Sequence, residues 1–193
     1  MNNSSACSSV DSRSLKLTAA VLAVLLLSPV APADAGSNRS SQFPPLGSCQ
    51  ILQVPAGNAV YAHAVGVGAQ IYDWNGTVWN FQAPEATLFA ANLFHAGFEE
   101  VIGFHFAGPT WEDLTGSTVV GKSLQTCTPN PSAIPWLLLG ASAHTGRGGF
   151  SKVTYIQRLY TVGGLAPTTP GTAPGQVARV PYSADYYFYQ KRR

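Results

Sequence analysis

Polar and apolar residues alternate along several short segments of this chain, and such alternation is typical of half-buried β-strands. The clearest case is residues 70–81, where QIYDW and TVWNF flank Asn75-Gly76. Asn-Gly tolerates the positive φ angles of a type I′ turn, so this segment predicts a β-hairpin. A second alternating run, residues 151–158, is interrupted by Ile156, which predicts that both faces of this strand are covered.

Gly- and Pro-rich stretches separate further strand candidates along the chain. The other predicted strands are residues 59–65, 101–106, 118–125, 136–139, 150–160 and 177–189. One segment, residues 85–98, has a partly helical rhythm instead. Many short strands at this spacing predict an all-β fold, namely an antiparallel β-sandwich or barrel with one short helical segment at most.

The first 35 residues have the pattern of a secretory signal peptide. A segment carrying Arg13 and Lys16 precedes the apolar run LTAAVLAVLLL, and the small-residue site Ala33-Asp34-Ala35 follows it. The alternative is a transmembrane anchor, but the run is shorter than the ~20 residues that a spanning helix needs. We therefore expect a secreted protein located at the cell surface, in the wall or in the periplasm.

The remainder is expected to comprise a flexible arm over residues 36–47, a single β-rich domain over 48–190 and a basic tail over 191–193. No later stretch is apolar enough to predict a membrane span in the mature chain. Eleven Lys and Arg against nine Asp and Glu give a formal net charge of +2, which does not indicate nucleic-acid binding. A composition of 46% hydrophobic and 10% charged residues does not indicate intrinsic disorder.

Two cysteines remain after the predicted leader, Cys49 and Cys127. An even number of cysteines in an oxidising compartment predicts one structural disulfide, and the alternative is two unpaired buried thiols. The tripeptides that begin at Asn38 and Asn75 fit the N-glycosylation pattern, which makes both asparagines glycosylation candidates in a eukaryotic host.

The segment from His105 to Asp113 concentrates groups that could carry chemistry. A Gly-Pro turn lies between His105 and Glu112, so the turn could bring the imidazole towards the carboxylate. A carboxylate can orient a histidine and raise its pKa, which makes these two residues the candidate catalytic acid and base. The alternative is structural: His105 packs on a strand and the carboxylates cap backbone amides in a turn.

Candidate binding residues lie in and near the same segment. They are Trp111, Asp113 and His144, the last beside the glycine-rich residues 146–149. With His144 or His95 added, His105 and the carboxylates of Glu112 and Asp113 could hold a divalent metal ion, but no histidines have the spacing of a preformed metal face, so no metal site is predicted. The chain also lacks the GxGxxG and Walker A motifs, and no cofactor is predicted.

Two further features leave alternatives open. The aromatic residues Tyr72, Trp74, Trp79 and Phe81 flank the predicted hairpin and could stack on sugar rings or an apolar ligand, or pack in the core. Arg158 is expected to pair with a carboxylate such as Glu85 or Glu112, or to lie at the surface.

An ordered series of motifs in the chain resembles a known family. The motifs are AQIY (69–72), WNG (74–76), PEATLF (84–89), GPTWE (108–112), IPWLLL (134–139), IQR (156–158), GGLAP (163–167) and VPY (180–182). They are similar to those of a secreted "domain of unknown function" family of bacteria, fungi and some photosynthetic eukaryotes. Its fungal members are often labelled malate dehydrogenase-like, but this chain has no strand–glycine loop–helix unit for a nicotinamide cofactor. The resemblance implies no catalytic residues.

The sequence thus favours a secreted, non-catalytic β-domain with a binding or protective role at the cell surface or wall. The expected partner is a cell-wall glycan or a small apolar ligand. The alternative is an extracellular enzyme, a hydrolase or a metal-assisted catalyst, that uses His105 and Glu112.

Overall fold

The computed structural model describes residues 43–91 and 100–192, and this part of the chain forms one antiparallel sheet of eight strands closed into a barrel. Each strand pairs with the next along the chain, and the last pairs back with the first. The strands are β1 Asn58–Trp74, β2 Trp79–Ala90, β3 Val101–Phe106, β4 Thr110–Asp113, β5 Thr118–Cys127, β6 Trp136–Thr145, β7 Tyr155–Gly163 and β8 Val177–Lys191.

The predicted all-β fold is confirmed, and of the two predicted architectures it is the barrel that forms. The only helical elements in the described ranges are two 3-10 turns, Gln50–Leu52 and Gly149–Lys152. Within those ranges no helix is long and apolar enough to cross a bilayer. The predicted signal peptide, its cleavage site and Asn38 lie outside the described residues.

The β1–β2 hairpin forms where the sequence predicts it, but its turn differs from the prediction. Trp74 pairs with Trp79, which leaves a four-residue loop, and Gly76 has the positive φ of 99°. The side-chain oxygen of Asn75 accepts hydrogen bonds from the backbone N–H groups of Thr77 and Val78, both at 2.9 Å. The predicted type I′ turn is therefore wrong, because Asn75 caps the turn through its side chain and does not adopt a positive φ.

The helical rhythm of residues 85–98 does not produce a helix where the structure describes it. Residues 85–90 form the second half of β2, and residues 92–99 lie outside the described part. Ala86 and Leu88 point into the barrel and are buried there, while Thr87 lies on the other face. Pairing with β1 on one side and β3 on the other overrides the weak helical preference of this stretch.

The barrel interior holds the main core. Small residues of β1 leave room there for large aromatic side chains of the neighbouring strand: a Cβ on Gly66 would lie 2.6 Å from the ring of Tyr186. Tyr186, Phe188, Trp111 and Ile156 are all fully buried in this cluster.

A second core lies on the outer face of β6, β7 and β8. The segment that precedes β1 runs across this face and buries Leu52 against Leu159 and Tyr189. Gln157 fixes the segment, since its amide donates a hydrogen bond of 2.7 Å to the Leu52 carbonyl. Both faces of β7 are therefore covered, as the interruption of its alternation by Ile156 predicts.

A disulfide joins Cys49 of this segment to Cys127 at the end of β5, which confirms the predicted pairing. Residues 43–47, the described part of the predicted flexible arm, pack against the barrel: Leu46 is buried, and the Tyr160 hydroxyl donates to the Pro45 carbonyl at 2.7 Å. At the other terminus, the Arg192 side chain donates a hydrogen bond to the Asn58 carbonyl.

The barrel wall is incomplete on one side, because β3 and β4 form a short hairpin between two long strands. β3 pairs with β2 only at Ala86–Phe89, and β4 pairs with β5 only at Thr118–Val120. Within the described residues, the first part of β2 and the last part of β5 have no strand between them. This gap is a side opening in the barrel wall, and the β3–β4 turn lies at its edge.

Candidate functional site: a cavity inside the barrel

A cavity of about 500 Å³ occupies the barrel interior behind the side opening. Its size falls within the range of ~300–1,000 Å³ that is usual for small-molecule sites. The lining comes from both edges of the opening, from the β3–β4 turn, from the loop before β6 and from the interior of β1 and β7. The lining residues are Gln70, Tyr72, Phe81, Gln82, Pro84, His105, Gly108, Pro109, Trp111, Ser123, Ile134, Pro135, Leu137, Leu139 and Arg158.

His105 lies deep in the wall of this cavity. Its ring stacks on Trp111 at 4.2 Å between centroids and meets Tyr186 edge-on at 5.2 Å. Nδ1 lies 2.8 Å from the Thr110 carbonyl oxygen, so Nδ1 carries the proton and donates. The pKa of His105 is lowered to about 3, mainly by burial; the hydrogen bond to Thr110 acts to raise it, and the positive charge of Arg158 acts to lower it. His105 is therefore neutral at physiological pH.

Arg158 of β7 points into the barrel. It pairs in register with Leu137 on one side and Tyr186 on the other, and both of these side chains face the interior. Its Nε and Nη2 donate hydrogen bonds of 3.1 and 2.8 Å to the same acceptor, the Pro135 carbonyl. The expected ion pair with Glu85 or Glu112 is wrong, because Glu85 pairs with Arg179 and the described carboxylates form no ion pair with Arg158; the arginine is half-buried in the cavity wall.

Two buried donors in the cavity wall lack acceptors. Gln70 is 2% exposed and Trp111 is 1% exposed, and neither the Gln70 amide nitrogen nor the Trp111 indole N–H has a hydrogen-bond partner. Burial raises the pKa of Tyr186 and Tyr182, whereas the charge of Arg158 acts to lower both. Both tyrosines are therefore neutral at physiological pH.

Glu112 does not share a site with His105. In β4 it directly follows Trp111, and consecutive strand residues point to opposite faces of a sheet. Because Trp111 is inside the barrel beside His105, Glu112 faces outward with its register partner Phe104. The structure does not form the predicted acid–base pair, since the strand pattern separates these side chains.

Asp113 caps the turn between β4 and β5. Its Oδ1 accepts hydrogen bonds from the Thr115 N–H and hydroxyl and from the Ser117 N–H, at 2.6–3.1 Å. Burial raises the pKa of Asp113, but these hydrogen bonds and one from the Phe150 N–H outweigh burial and lower it. Asp113 thus caps backbone amides in a turn, as the structural alternative to a catalytic site predicts.

The remaining predicted binding groups are dispersed. Trp111 is in the cavity wall, but His144 is exposed outside it, where its Nε2 donates a 2.7 Å hydrogen bond to the Val153 carbonyl. No group of three or more His, Cys, Asp or Glu residues within 43–91 and 100–192 could hold a metal ion, and His95 is not among the described residues. Asn75 is exposed in its turn, and its glycosylation stays a prediction.

The hairpin aromatics divide between core and cavity. Tyr72 and Trp74 are buried, and the Tyr72 hydroxyl donates a 2.6 Å hydrogen bond to the Gly164 carbonyl. Trp79 donates to the Thr169 carbonyl of the β7–β8 loop. Phe81 remains 53% exposed at the edge of the side opening, where a bound molecule would touch it.

Sequence reasoning missed Arg158 and Gln70 as cavity residues. Gln70 follows Gly66 and Gly68 at two-residue intervals, so the period-2 rule could have placed it inward once the barrel was known. For Arg158 no such signal exists, since the alternation of β7 is obscured by burial on both faces.

The fold and the site together define the structural class of this protein. It is a closed eight-stranded antiparallel barrel with a side opening and a mainly apolar internal cavity. Residues 55–190 match the family described as "Protein of unknown function (DUF3455)", and the chain belongs to this family. No curated protein and no solved structure gives a significant match to the chain.

Proposed function

We propose that this protein is exported and acts, without catalysis, by binding a small apolar ligand inside the barrel at the cell surface, in the wall or in the periplasm. The observation that carries the proposal is the cavity of about 500 Å³, whose walls are largely apolar and aromatic and whose mouth is the gap between β2 and β5. A largely pre-formed, mostly apolar cavity with few polar groups is the usual form of a small-molecule site.

Export is supported by the leader pattern and by the disulfide, since disulfides persist in oxidising compartments. Binding is favoured over the two-residue acid–base reaction because His105 and Glu112 lie on opposite faces of the sheet. A small apolar ligand is favoured over a wall glycan because Tyr72 and Trp74 are buried, which leaves Phe81 as the exposed ring at the opening and no extended row of rings for a sugar chain.

The test is titration of the purified protein with N-phenyl-1-naphthylamine, a neutral apolar probe that fluoresces in apolar surroundings. We expect saturable binding, accompanied by a change in tryptophan fluorescence, because Trp111 lies in the cavity wall. Ser123→Trp should reduce the affinity at least tenfold, because Ser123 lies in the cavity wall at the opening.

The matched control is Gln125→Trp. Gln125 is exposed on the same strand, pairs with the outward-facing Leu138 and does not line the cavity. The control should bind the probe like the wild type. No saturable binding by the wild type, or equal loss in both variants, would refute the proposal.

A further inference from the structure

Arg158 is a cation inside an otherwise mainly apolar cavity, and the described residues do not neutralise it. Of its donor atoms, Nε and Nη2 both bond to the single carbonyl oxygen of Pro135. Asp185 bonds to His63, and Glu85 bonds to Arg179, so neither is available to it. Arg158 is half-buried, and a partly desolvated cation without a counter-ion in a mainly apolar cavity is a candidate functional group.

Neighbouring tyrosines do not supply the missing negative charge. Burial raises the pKa of Tyr182 and Tyr186, so both hydroxyls stay protonated next to the guanidinium at physiological pH. The Tyr182 and Tyr186 hydroxyl oxygens lie 3.2 Å apart and can satisfy each other. The positive charge is therefore retained in the cavity.

Two uncharged polar groups in the same wall are unsatisfied donors. The indole N–H of Trp111 is buried in the same wall and has no acceptor among the described residues, and the amide nitrogen of Gln70 makes no hydrogen bond of normal geometry, although it lies near enough to Tyr182 to act on the pKa of that hydroxyl. Buried polar groups are nearly always hydrogen-bonded, so such unpaired donors call for an explanation. A cation and two unpaired donors in one wall match a ligand that brings acceptor oxygens and negative charge.

We infer that the ligand of this cavity is a carboxylate on an apolar chain or ring, with its carboxylate bound by Arg158 and its apolar part held by the aromatic and aliphatic walls. This inference rests on the proposed binding function and specifies its ligand class. A guanidinium matches a carboxylate in geometry as well as in charge, and charge-assisted bonds of this kind are the stronger ones.

The experiment compares decanoate with decanol, which share an alkyl chain and differ in the head group. Each competes with N-phenyl-1-naphthylamine for the wild-type protein at pH 7.5. We expect decanoate to displace the probe at a concentration at least tenfold lower than decanol. Equal potency of the two would overturn this inference and leave the proposed function standing, whereas failure of the probe to bind would overturn both.

Two arginine variants locate the preference for decanoate. In Arg158→Met the ratio of decanoate potency to decanol potency should fall to about one, and in Arg158→Lys it should fall to an intermediate value, because a lysine keeps the charge without the planar fork. Arg179→Met removes an exposed arginine on the outer surface and should keep the wild-type ratio. A ratio unchanged in Arg158→Met, or lost equally in Arg179→Met, would refute the assignment. Since the wild-type comparison needs no variant, the inference remains testable if Arg158→Met does not fold.

Discussion

His105 shows how a single residue can mislead when it is considered without its surroundings. In the sequence its nearest carboxylates make it a candidate acid–base group. In the structure it is 2% exposed, stacks on Trp111 and donates to a backbone carbonyl. The imidazole is uncharged because burial lowers its pKa. The charged and titratable groups that face it are Arg158 of β7 and Tyr186 of β8.

His105 should make the stability of the protein depend on pH in a defined window. The folded-state pKa of about 3 lies below the unfolded value of about 6.5, so the unfolded state binds the proton first as the pH falls. Stability is therefore lost as the pH falls from about 6.5 towards 3, and the histidine should contribute a loss of about 3 kcal/mol between pH 7 and pH 4.

Urea unfolding of the wild type and of His105→Gln at pH 7 and pH 4 measures this contribution, because the glutamine does not titrate. The loss of unfolding free energy between the two pH values should be about 3 kcal/mol smaller in the variant. His144→Gln, which replaces an exposed histidine, is the control and should behave like the wild type. An identical loss in His105→Gln and the wild type would contradict the burial of a neutral imidazole.

At the scale of elements, the sequence predicts the position of most strands. It does not predict features that depend on which residues of neighbouring strands pair with each other. β3 is predicted with its exact bounds, and β8 with its first residue, because alternation and turn residues delimit them. β4 is missed because a four-residue strand shows too little alternation. Residues 85–90 are mistaken for part of a helix because their alanine and leucine content favours one, whereas pairing on both sides decides the outcome.

The candidate site was predictable only in part for the same reason. His105 and Trp111 are found because they stand out chemically, but their position inside the barrel depends on the β3–β4 register. Arg158 lies two residues after Ile156, so both side chains face the barrel interior. Gln157 and Leu159 are buried on the opposite face by the outer core, and for this reason the sequence alternation of β7 does not show which face is the inner one. That outer core depends on a segment about 100 residues earlier in the chain.

Close pairing between β1 and β2 predicts that replacement of Gly68 destabilises the protein. A Cβ at this position would lie 2.0 Å from the Glu85 carbonyl oxygen, which is backbone and cannot move aside without disturbing the ladder. Gly68→Ala should therefore lower the free energy of unfolding by about 2–4 kcal/mol, at or above the usual range for overpacking. Chemical denaturation followed by tryptophan fluorescence measures the difference.

Gly140→Ala on β6 is the matched control, since its Cβ would meet only the end of the Leu124 side chain at 3.1 Å. Leu124 is 48% exposed and free to turn away, so the control should change stability by less than about 1 kcal/mol. Similar destabilisation by both substitutions would mean that the β1–β2 approach is not the constraint.

At the scale of the whole molecule, two cores share the wall formed by β6, β7 and β8. The inner core and the cavity lie on one side of this wall, and the segment before β1 covers the other side. The disulfide fastens that segment to β5 across 78 residues of sequence. The cavity wall that carries Arg158 is thus supported from outside, since Gln157 is its neighbour and bonds to the covering segment.

The double substitution Cys49→Ala with Cys127→Ala should lower the free energy of unfolding by about 4–5 kcal/mol, the loop-closure entropy expected for a loop of this length. Because Cys49 lies in the outer core and not in the cavity, the folded double variant should still bind N-phenyl-1-naphthylamine with unchanged affinity. Equilibrium denaturation and probe titration on the same preparation measure both quantities. Wild-type protein unfolded and refolded in dithiothreitol is the control and should match the variant in stability. A double variant as stable as the oxidised wild type would show that the covering segment holds to β6, β7 and β8 without its covalent link.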